Sequence, residues 1–512
     1  MKKLLIALAL ALILALAFIL APNRPAVTGD LKVQPFPADL DLSSVEGLYK
    51  SAAYKVEVRR SGEDAYMPSF VFETRNEWVL LDFFNADKTK HSDVLRTASQ
   101  IGGGKSDQRT ASFSQFSFAD TAVDVRITLL KPGAEAQSVT IRPLRHDIPA
   151  KISADSKTIT FTLAKPLKIS VEINDRLDPL FLFADAPDIP DPEATHYFGP
   201  GIHRIPGDGT LTVKTDERVY LAAGAIVEGR FFIPHGSTRV SIRGRGIVNT
   251  GEWPMTSTDV GFLGKHSSVR STGTSHTLIE GITFANGSGW TIAIDDWQHN
   301  KTHDNQYRNL KMVHWAGCTD GVWITGDNNI ADDLFIFHND DAIVSKGGKG
   351  SRASNIVVWG GVWGRTVLLF GIGGSSSVSD LLVENVDVIG KEGGTNCFHV
   401  RGANPAIRFD RITFRDFRFE ERRVPSSYNA NRFLDAMHTE LGGRISDWKF
   451  ENISFDRKLP DEGSILATLG KPYENITFQN LRMGGELILS AGAANLRTNP
   501  AVTGLKFLPP AP

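Results

Sequence analysis

Three carboxylates stand about one repeat apart in the middle of the chain. Asp320 lies in Gly317-Cys318-Thr319-Asp320-Gly321, and Asp340 and Asp341 lie in His338-Asn339-Asp340-Asp341-Ala342-Ile343. Hydrolysis of a glycosidic bond needs a protonated acid for the leaving oxygen and a carboxylate that activates water or attacks carbon. Crowded carboxylates supply both forms, because mutual repulsion raises the pKa of at least one of them. The trio therefore indicates acid–base hydrolysis if the fold brings the two segments together.

The surrounding chain repeats one strand pattern, and this pattern predicts how the two segments meet. Near-alternating apolar and polar residues run into Asn, Asp, Gly or Arg in Leu278–Phe284, Leu381–Val386, Ile412–Phe414 and Ile476–Leu481. Self-similarity at intervals of roughly twenty to thirty residues is typical of a parallel β-helix. On such a helix Asp320 and Asp341 would stack on adjacent coils with Cα atoms about 5 to 7 Å apart. Asp340 would reach the same level if the backbone bulges or turns there.

The composition and the positions of the Gly- and Pro-rich segments predict an all-β chain in two parts. The 512 residues include 47 Gly and 25 Pro, which favours short strands and turns over long helices. Short alternating runs ahead of the repeats predict a β-sandwich over residues 27–189. The proline-bearing segment Ala186–Pro192 then separates it from a right-handed parallel β-helix over residues 190–506. Residues 507–512 are expected to be a loose tail, since prolines dominate them. The alternating runs of the first part are Tyr54–Val58, Val123–Leu129, Thr158–Leu163 and Ile169–Ile173.

Residues 1–26 are predicted to be a signal peptide or an N-terminal anchor. Lys2 and Lys3 precede an unbroken apolar run, Leu4–Ala21, which ends at Pro22. A basic start followed by an apolar core is typical of a cleaved export signal, but the run also just reaches membrane-spanning length. We expect a secreted or periplasmic protein, which contacts a membrane only if this segment stays uncleaved.

Charge gives no reason to expect a nucleic-acid partner. The chain carries 56 Lys and Arg against 58 Asp and Glu, and loss of the leader would remove Lys2, Lys3 and Arg24 but no acidic residue. We expect a monomer that needs no cofactor and no metal. A structural calcium ion stays open as an alternative, because clustered Asp and Asn oxygens suit this ion.

The two acidic segments carry a family resemblance. Thr319-Asp320-Gly321-Val322 followed by Asn339-Asp340-Asp341-Ala342-Ile343 resembles the central motif of glycoside hydrolase family 49, the dextranases and isopullulanases. It is more distantly similar to that of the family 28 polygalacturonases. The resemblance covers roughly residues 197–400, and a sandwich ahead of the helix is also similar to the family 49 layout.

This resemblance implies roles for the three acids. Asp340 would be the general acid, and Asp320 and Asp341 would jointly hold the attacking water, with inversion at the anomeric carbon. Inverting enzymes generally keep the acid about 6.5 to 9.5 Å from the base. That separation is the expectation for this chain.

Departures from both families concern substrate binding. Family 49 usually has a lysine directly after the position of Ile343, whereas here Lys346 follows a little later and would share the strand face by alternation. The polygalacturonase Gly-His-Gly corresponds to a segment in which Arg365 replaces the histidine. Its Arg-Ile-Lys corresponds to a segment with His399 and Arg401 on one strand face, which would suit an anionic sugar, or only an exposed basic edge.

Tryptophans near the expected cleft could stack on sugar rings, although most tryptophans are core or loop anchors. Trp290 and Trp315 are the preferred candidates over Trp297 and Trp363. The sequence thus predicts a hydrolase of an α-glucan such as dextran, with an anionic glycan as the second candidate. A polysaccharide lyase and a non-catalytic glycan-binding β-helix are the alternatives from other classes.

Overall fold

The computed structural model describes residues 30–75, 110–176, 178–251, 267–287, 289–294, 301–316, 319–360, 364–371, 376–391, 397–402, 404, 406–420, 434–436, 443–468 and 470–511. The predicted signal or anchor lies outside these residues, as do Cys318, Trp297 and Trp363. Within them, no helix has the length and apolar character needed to cross a membrane. The prediction of an all-β fold is confirmed, since the described elements are strands apart from a short 3₁₀ turn at Leu144–His146.

The first domain is a sandwich of two sheets. One sheet has the order β2-β5-β6-β12-β11-β8 with β1 beside β6, and the other has the order β4-β3-β7-β10-β9. The alternation predicted for β7 is present, because Val123, Val125 and Ile127 are buried while the residues between them are partly exposed. The strands are β1 (Lys32–Val33), β2 (Leu48–Lys50), β3 (Tyr54–Arg60), β4 (Met67–Ser69), β5 (Val71–Arg75), β6 (Thr110–Ser117), β7 (Val123–Leu129), β8 (Val139–Arg142), β9 (Lys151–Ile152), β10 (Thr158–Leu163), β11 (Lys168–Ile173) and β12 (Leu180–Asp185).

The second domain is a parallel β-helix, as predicted. Among the residues that the structure describes, 34 strands belong to it, in one sheet of 23 strands and one of 11 strands. The larger sheet contains β13 (His196–Phe198), β14 (Gly201–Arg204), β16 (Arg218–Leu221), β17 (Ala225–Glu228), β19 (Ser241–Gly244), β20 (Ile247–Asn249), β22 (Leu278–Glu280), β23 (Thr283–Ala285), β25 (Gln306–Arg308), β26 (Lys311–Val313), β28 (Ile330–His338), β30 (Gly348–Lys349), β31 (Arg352–Gly360), β33 (Val378–Ser379), β34 (Leu382–Lys391), β36 (Arg408–Asp410), β37 (Thr413–Phe419), β39 (Arg444–Phe455), β41 (Tyr473–Gln479), β42 (Arg482–Met483), β43 (Glu486–Leu487), β45 (Val502–Thr503) and β46 (Lys506–Leu508). The smaller sheet contains β15 (Thr210–Thr212), β18 (Arg230–Ile233), β21 (Val269–Ser271), β24 (Ile292–Ile294), β27 (Val322–Trp323), β29 (Ile343–Ser345), β32 (Val367–Gly371), β35 (Phe398–Gly402), β38 (Leu434–Ala436), β40 (Gly463–Ile465) and β44 (Leu496–Thr498).

Each coil has three faces. The larger sheet bends along its length, so that strands such as β22 and β25 form face one while β23 and β26 form face two. Longer strands such as β28 pass through the bend and contribute to both faces. The smaller sheet forms face three. The chain therefore passes three corners per coil, which we call corner 1/2, corner 2/3 and corner 3/1 after the faces that they join.

Two of the corners are built from left-handed residues that stack from coil to coil. Asn and Asp tolerate this conformation better than other non-glycine residues, because their short polar side chains bond locally. Amides in the column bond to the rung before, as in Asn480 Nδ2 to Asn452 Oδ1 at 3.0 Å. These residues end the sequence repeats. The column at corner 1/2 is Gly281, Asn309, Asp333, Asn355, Asn385, Asp416, Asn452 and Asn480, and that at corner 3/1 is Asp216, Arg239, His276, Asp304, Asn328, Gly350, Asp380, Arg411, Asp447 and Asn475.

Face two packs against the larger sheet of the sandwich. Phe181 and Phe183 of β12 contact Phe335 of β28, with ring centroids 4.8 and 5.1 Å apart. A buried ion pair crosses the same interface, since Lys311 Nζ lies 2.8 Å from Asp185 Oδ2. The last strand of the sandwich ends at Asp185 and the first strand of the parallel coils begins at His196, so the predicted boundary at residue 189 lies between them.

The expectation of a loose tail from Phe507 is wrong. β46 pairs in parallel with β41, and the Phe507 ring stacks on Phe478 with centroids 4.8 Å apart. Apolar stacking on the preceding coil keeps this segment in the helix, and the prolines follow only after Leu508.

Candidate active site

The acids lie at corner 2/3, where the chain enters face three. Asp320 precedes β27 and Asp341 precedes β29, and Val322 pairs with Ile343 in parallel register. The Gly321 amide donates to the Asp341 carbonyl at 2.8 Å. The prediction that Asp320 and Asp341 stack on adjacent coils is therefore confirmed.

The coil after them places Arg365 at the equivalent position. The Ala342 amide donates to the Arg365 carbonyl at 2.8 Å, just ahead of β32. Three successive coils thus contribute Asp320, Asp341 and Arg365 to one row at corner 2/3.

Local contacts fix the turn that carries Asp340. Asn339 and Asp340 form a bend between β28 and β29, in line with the predicted turn. The Asn339 amide donates to Thr319 Oγ1 at 3.1 Å, and its side-chain Nδ2 donates to the Trp315 carbonyl at 3.0 Å. The turn is thereby tied to the segment that carries Asp320.

The close stacking of the coils demands a glycine beside Asp320. A Cβ on Gly321 would stand 2.4 Å from the Ala342 carbonyl oxygen. Any side chain here would push the coils apart, because real Cβ atoms do not approach so closely.

The three carboxylates are closer together than expected. One oxygen of each lies within 4.8 Å of the others. These nearest oxygen atoms are closer together than the separation of about 6.5 to 9.5 Å that we expected between the acid and base groups, which stays a prediction. The reason is geometric, since all three side chains leave the same corner of two coils whose strands are about 4.8 Å apart.

Asp320 is buried, and one of its two carboxyl oxygens accepts a hydrogen bond from Trp323. Burial, followed by repulsion from Asp340 and Asp341, raises the pKa of Asp320 well above its usual range. The Trp323 indole Nε1 donates to Asp320 Oδ2 at 2.8 Å, which acts in the opposite direction. Oδ1 of Asp320 is buried and accepts no hydrogen bond from the described residues. This carboxyl group is therefore suited to hold a proton at a pH where an ordinary aspartate is ionised.

Asp341 has the opposite environment. Arg365 Nη1 lies 2.9 and 3.1 Å from its two carboxylate oxygens, and 3.8 Å from Asp340 Oδ1. Asp341 thus has a charged hydrogen-bond donor in contact, and such charge-assisted bonds are the stronger kind. We predicted Arg365 as a substrate-binding residue; its guanidinium bonds to a catalytic candidate, and its contact with substrate stays a prediction.

The side chains of Lys346 and Trp290 both contact Trp323, whose indole bonds to Asp320. The Lys346 Nζ stands 3.6 Å from the centroid of the Trp323 ring and 4.9 Å from that of Trp290. Its charge also opposes the rise in the pKa of Asp320. The two residues thus form one wall of the site, with the Trp290 ring tilted by 43° against the Trp323 ring at a centroid distance of 4.1 Å. Their contact with substrate stays a prediction.

Trp315 does not lie in a position to stack on a sugar. It is buried in the interface between the domains, where its indole Nε1 donates to Thr74 Oγ1 at 3.2 Å and its ring meets Phe337 edge-on. The prediction of a sugar platform at Trp315 is therefore wrong, because the sandwich covers this side chain. Its carbonyl instead holds Asn339.

His399 and Arg401 lie farther along face three. Phe398 and Val400 belong to the core, so His399 and Arg401 point to the outer side, as predicted. β35 stands two coils after β29, because β32 pairs with both strands. The register aligns Arg401 with Lys346 at a distance of roughly 10 Å along the axis, which is twice the strand spacing.

A buried histidine that the sequence did not reveal, His314, lies on the coil of Asp320 and bonds to the coil before it. His314 Nδ1 accepts the Gly287 amide at 2.7 Å, and Nε2 contacts Thr291 Oγ1 at 2.9 Å. Burial lowers the pKa of His314 to about 3, so the ring is neutral. Thr291 in turn donates its amide to the Asp320 carbonyl at 2.8 Å. His314 therefore braces the backbone that carries Asp320.

The three carboxylates are also a set of donors that a hard cation such as Ca²⁺ accepts. Arg365 already brings a positive charge into contact with Asp341. The electrostatic need for an ion at this corner is correspondingly reduced.

Comparisons with known proteins bear on the fold. No protein-family profile matches the chain, and no curated protein matches it in sequence. Among solved structures, Dex49A from Penicillium minioluteum is similar with a TM-score of 0.67 and 15% identity, over 90% of this chain and 95% of that chain. The Yersinia enterocolitica family 28 exopolygalacturonase has a TM-score of 0.32 and 12% identity, over 76% of this chain and 97% of that chain. The Dex49A similarity confirms the fold that the motif resemblance implied, and the second value is too low for any conclusion.

Proposed function

We propose that this chain is a glycoside hydrolase that cleaves a polysaccharide, with an α-glucan such as dextran as its substrate. The observation that carries the proposal is the meeting of three carboxylates in unlike surroundings at corner 2/3. Burial and repulsion favour the protonated form of Asp320, while the carboxylate of Asp341 accepts two hydrogen bonds from the Arg365 guanidinium. One site thus offers the acid and the base that glycoside hydrolysis needs.

The roles that we propose for the three acids follow from how exposed each carboxyl group is. Asp340 is the most open of the acids, with 21% of its side chain exposed, and is the group that can reach a glycosidic oxygen. Asp320 and Asp341 lie deeper on adjacent coils. Because the acids are strongly coupled, the proton belongs to the cluster, and Asp340 delivers it to the leaving oxygen.

Asp320 and Asp341 can share one water molecule. Two oxygens no more than 4.8 Å apart can both accept from a water that stands about 2.8 Å from each. Such a water would attack the face of the sugar opposite to the leaving group and invert the anomeric carbon. Proton NMR of the first-formed product tests this step, and a retained anomer would instead make one of these two carboxylates a nucleophile.

An anionic glycan is the second candidate substrate, and the row formed by Lys346 and Arg401 favours it. A bound uronate or sulfate would gain charge-assisted hydrogen bonds worth roughly 1.5 to 3 kcal/mol each. We favour the neutral glucan because the motif resembles family 49 more closely than family 28. Replacing both His399 and Arg401 with Ala should therefore change KM on dextran only modestly and leave its salt dependence unaltered.

The experiment that tests the proposal is a screen of the purified protein on neutral and anionic glycans. Reducing ends released from dextran, and lost in Asp340→Asn, would support the hydrolase. Ultraviolet absorbance from an unsaturated product would identify a lyase, and binding without release of reducing ends would identify a non-catalytic protein. Addition of EGTA should leave the rate unchanged, because Arg365 supplies the positive charge at the acids.

A further inference from the structure

A second group of functional side chains lies at corner 3/1. Two pairs of rungs in the left-handed column there are joined by complementary charge, as in the two bonds between Arg411 and Asp380 at 2.6 and 2.9 Å. In the middle of the column the rungs are His276, Asp304 and Asn328. These residues belong to neither the acids at corner 2/3 nor the wall formed by Trp290 and Lys346.

The backbone holds these residues in register. His303 forms parallel bridges to Ser275 on one side and Asp327 on the other. His276 and Asp304 therefore occupy the same rung position on adjacent coils, and their side chains leave the backbone in the same direction.

The side chains meet outside the backbone. His303 Nδ1 lies 2.7 Å from Asp304 Oδ2, and the rings of His276 and His303 have centroids 5.7 Å apart. One nitrogen of each histidine and one Asp304 oxygen all lie within 4.8 Å of one another. Two coils thus aim three metal-binding atoms at one point.

The chemistry of this set favours a borderline metal ion. Imidazole suits Zn²⁺ and its neighbours, whereas Ca²⁺ and Mg²⁺ prefer oxygen donors only. Zinc bonds to nitrogen at about 2.0 to 2.1 Å, which places tetrahedral ligands about 3.3 Å apart. The required approach is small for these side chains, since His303 is 45% exposed and Asp304 40% exposed.

Asn328 supplies the support that such a ligand needs. Its side chain bonds to Asp304 from the following coil. Residues that hydrogen-bond to metal ligands hold those ligands in the right orientation. Loss of such a residue typically weakens metal binding about 10- to 100-fold.

We propose that His276, His303 and Asp304 bind a divalent transition metal ion such as Zn²⁺, with solvent in the fourth position. The ion ties two adjacent coils together at corner 3/1. Because it binds the folded chain and bridges separate coils, it raises the melting temperature. Cleavage at corner 2/3 does not involve it.

Calorimetric titration of the untagged, chelator-treated protein with ZnCl₂ tests the site. We expect one zinc ion per chain, at least tenfold weaker binding in His276→Ala, and about tenfold weaker binding in Asn328→Ala. His196→Ala is the matched control, since His196 also contacts a carboxylate, Glu217, at 3.5 Å but has no third ligand in the described residues.

Melting curves with and without ZnCl₂ give a second readout. The melting temperature should rise in the wild type and in Asp340→Asn, and should not rise in His276→Ala. Binding that persists in His276→Ala, or that disappears in Asp340→Asn, would place the ion at the acids and overturn the proposal. Absence of saturable binding in the wild type would overturn it as well.

Discussion

Asp320, Asp340 and Asp341 carry the same carboxyl group but differ in what surrounds it. Trp323 donates one hydrogen bond to Asp320, and Arg365 donates two from its guanidinium to Asp341. Identical side chains therefore meet unlike electrostatic surroundings within one site. The division of labour at this site is set by neighbours rather than by residue type.

Replacement of Asp340 with Asn should lower turnover of a polysaccharide by about 10²- to 10⁴-fold, the usual contribution of a general acid. The loss should be much smaller on an aryl glycoside with a good leaving group, because that group departs without a proton. Steady-state kinetics on both substrates measure the difference, with the exposed Asp155→Asn as control. If Asp320→Asn shows this dependence and Asp340→Asn does not, the acid is Asp320.

Replacement of Asp320 with Asn should stabilise the fold while it removes activity. Burial raises the pKa of Asp320 well above its ordinary value of 3.8. At a pH between the ordinary and the raised pKa, the folded chain therefore keeps a proton that the unfolded chain has released. The contribution of Asp320 to stability therefore falls as pH rises through this range. The folding equilibrium constant falls by about a factor of ten for each pH unit, so Asp320 destabilises the folded chain at neutral pH.

Melting temperatures at pH 4 and pH 7 measure this cost. Asp320→Asn should exceed the wild type at pH 7, and by a smaller margin at pH 4. Asp341→Asn is the contrasting variant, because it leaves Arg365 without its bidentate partner and should destabilise. A lower melting temperature for Asp320→Asn at pH 7 would contradict the argument.

At the level of elements, the local sequence pattern was sufficient to predict part of the fold. The alternation in Val123–Leu129 and the repeats ending at Asn385 and Asn480 were enough to predict strands and coils, because burial and left-handed turns act over a few residues. The spacing of Asp320 and Asp341 predicted their stacking for the same reason.

Contacts between distant segments were not predictable from local pattern. Trp315 bonds to Thr74, which lies 241 residues earlier, so nothing near Trp315 signals that a second domain covers it. Arg365 meets Asp341 only because the intervening coil has the right length, 24 residues. Both contacts join partners that the fold, rather than the neighbouring sequence, brings together.

Replacement of Gly321 with Ala should disturb the row of acids without unfolding the domain. The added Cβ would stand 2.4 Å from the Ala342 carbonyl, which accepts the Val322 amide. We expect turnover to fall at least about tenfold, since small displacements of catalytic groups are costly. Gly492→Ala is the matched control, because a Cβ there meets nothing within 4 Å. Equal activities of the two variants would show that the coils can separate without cost.

At the level of the whole molecule, the sandwich is part of the structure that supports the site. It buries face two, bonds to Trp315 through Thr74, and so acts through Asn339 on the turn of Asp340. The two domains share one apolar cluster that includes Phe183 and Phe335. Loss of their contact should therefore affect catalysis as well as solubility.

Replacement of Asp185 with Asn should destabilise the protein by about 3 to 5 kcal/mol, because it leaves the buried Lys311 ammonium without its carboxylate. Urea unfolding followed by tryptophan fluorescence measures the loss. The double variant with Lys311→Met should recover much of it, since no buried charge then lacks a partner. Asp216→Asn, which breaks an exposed ion pair with Arg239, should have little effect. Equal midpoints for Asp185→Asn and the wild type would contradict the assignment.

The row of Asp320, Asp341 and Arg365 ties the reacting geometry to the period of the backbone. Neighbouring strands lie about 4.8 Å apart because of their hydrogen bonds, and no exchange of side chains alters that period. Functional groups in this row can therefore be moved only by whole coils. Evolution of a new specificity here would proceed by transferring a residue from one coil to the equivalent position of the next, in discrete steps, rather than by gradual adjustment of distances.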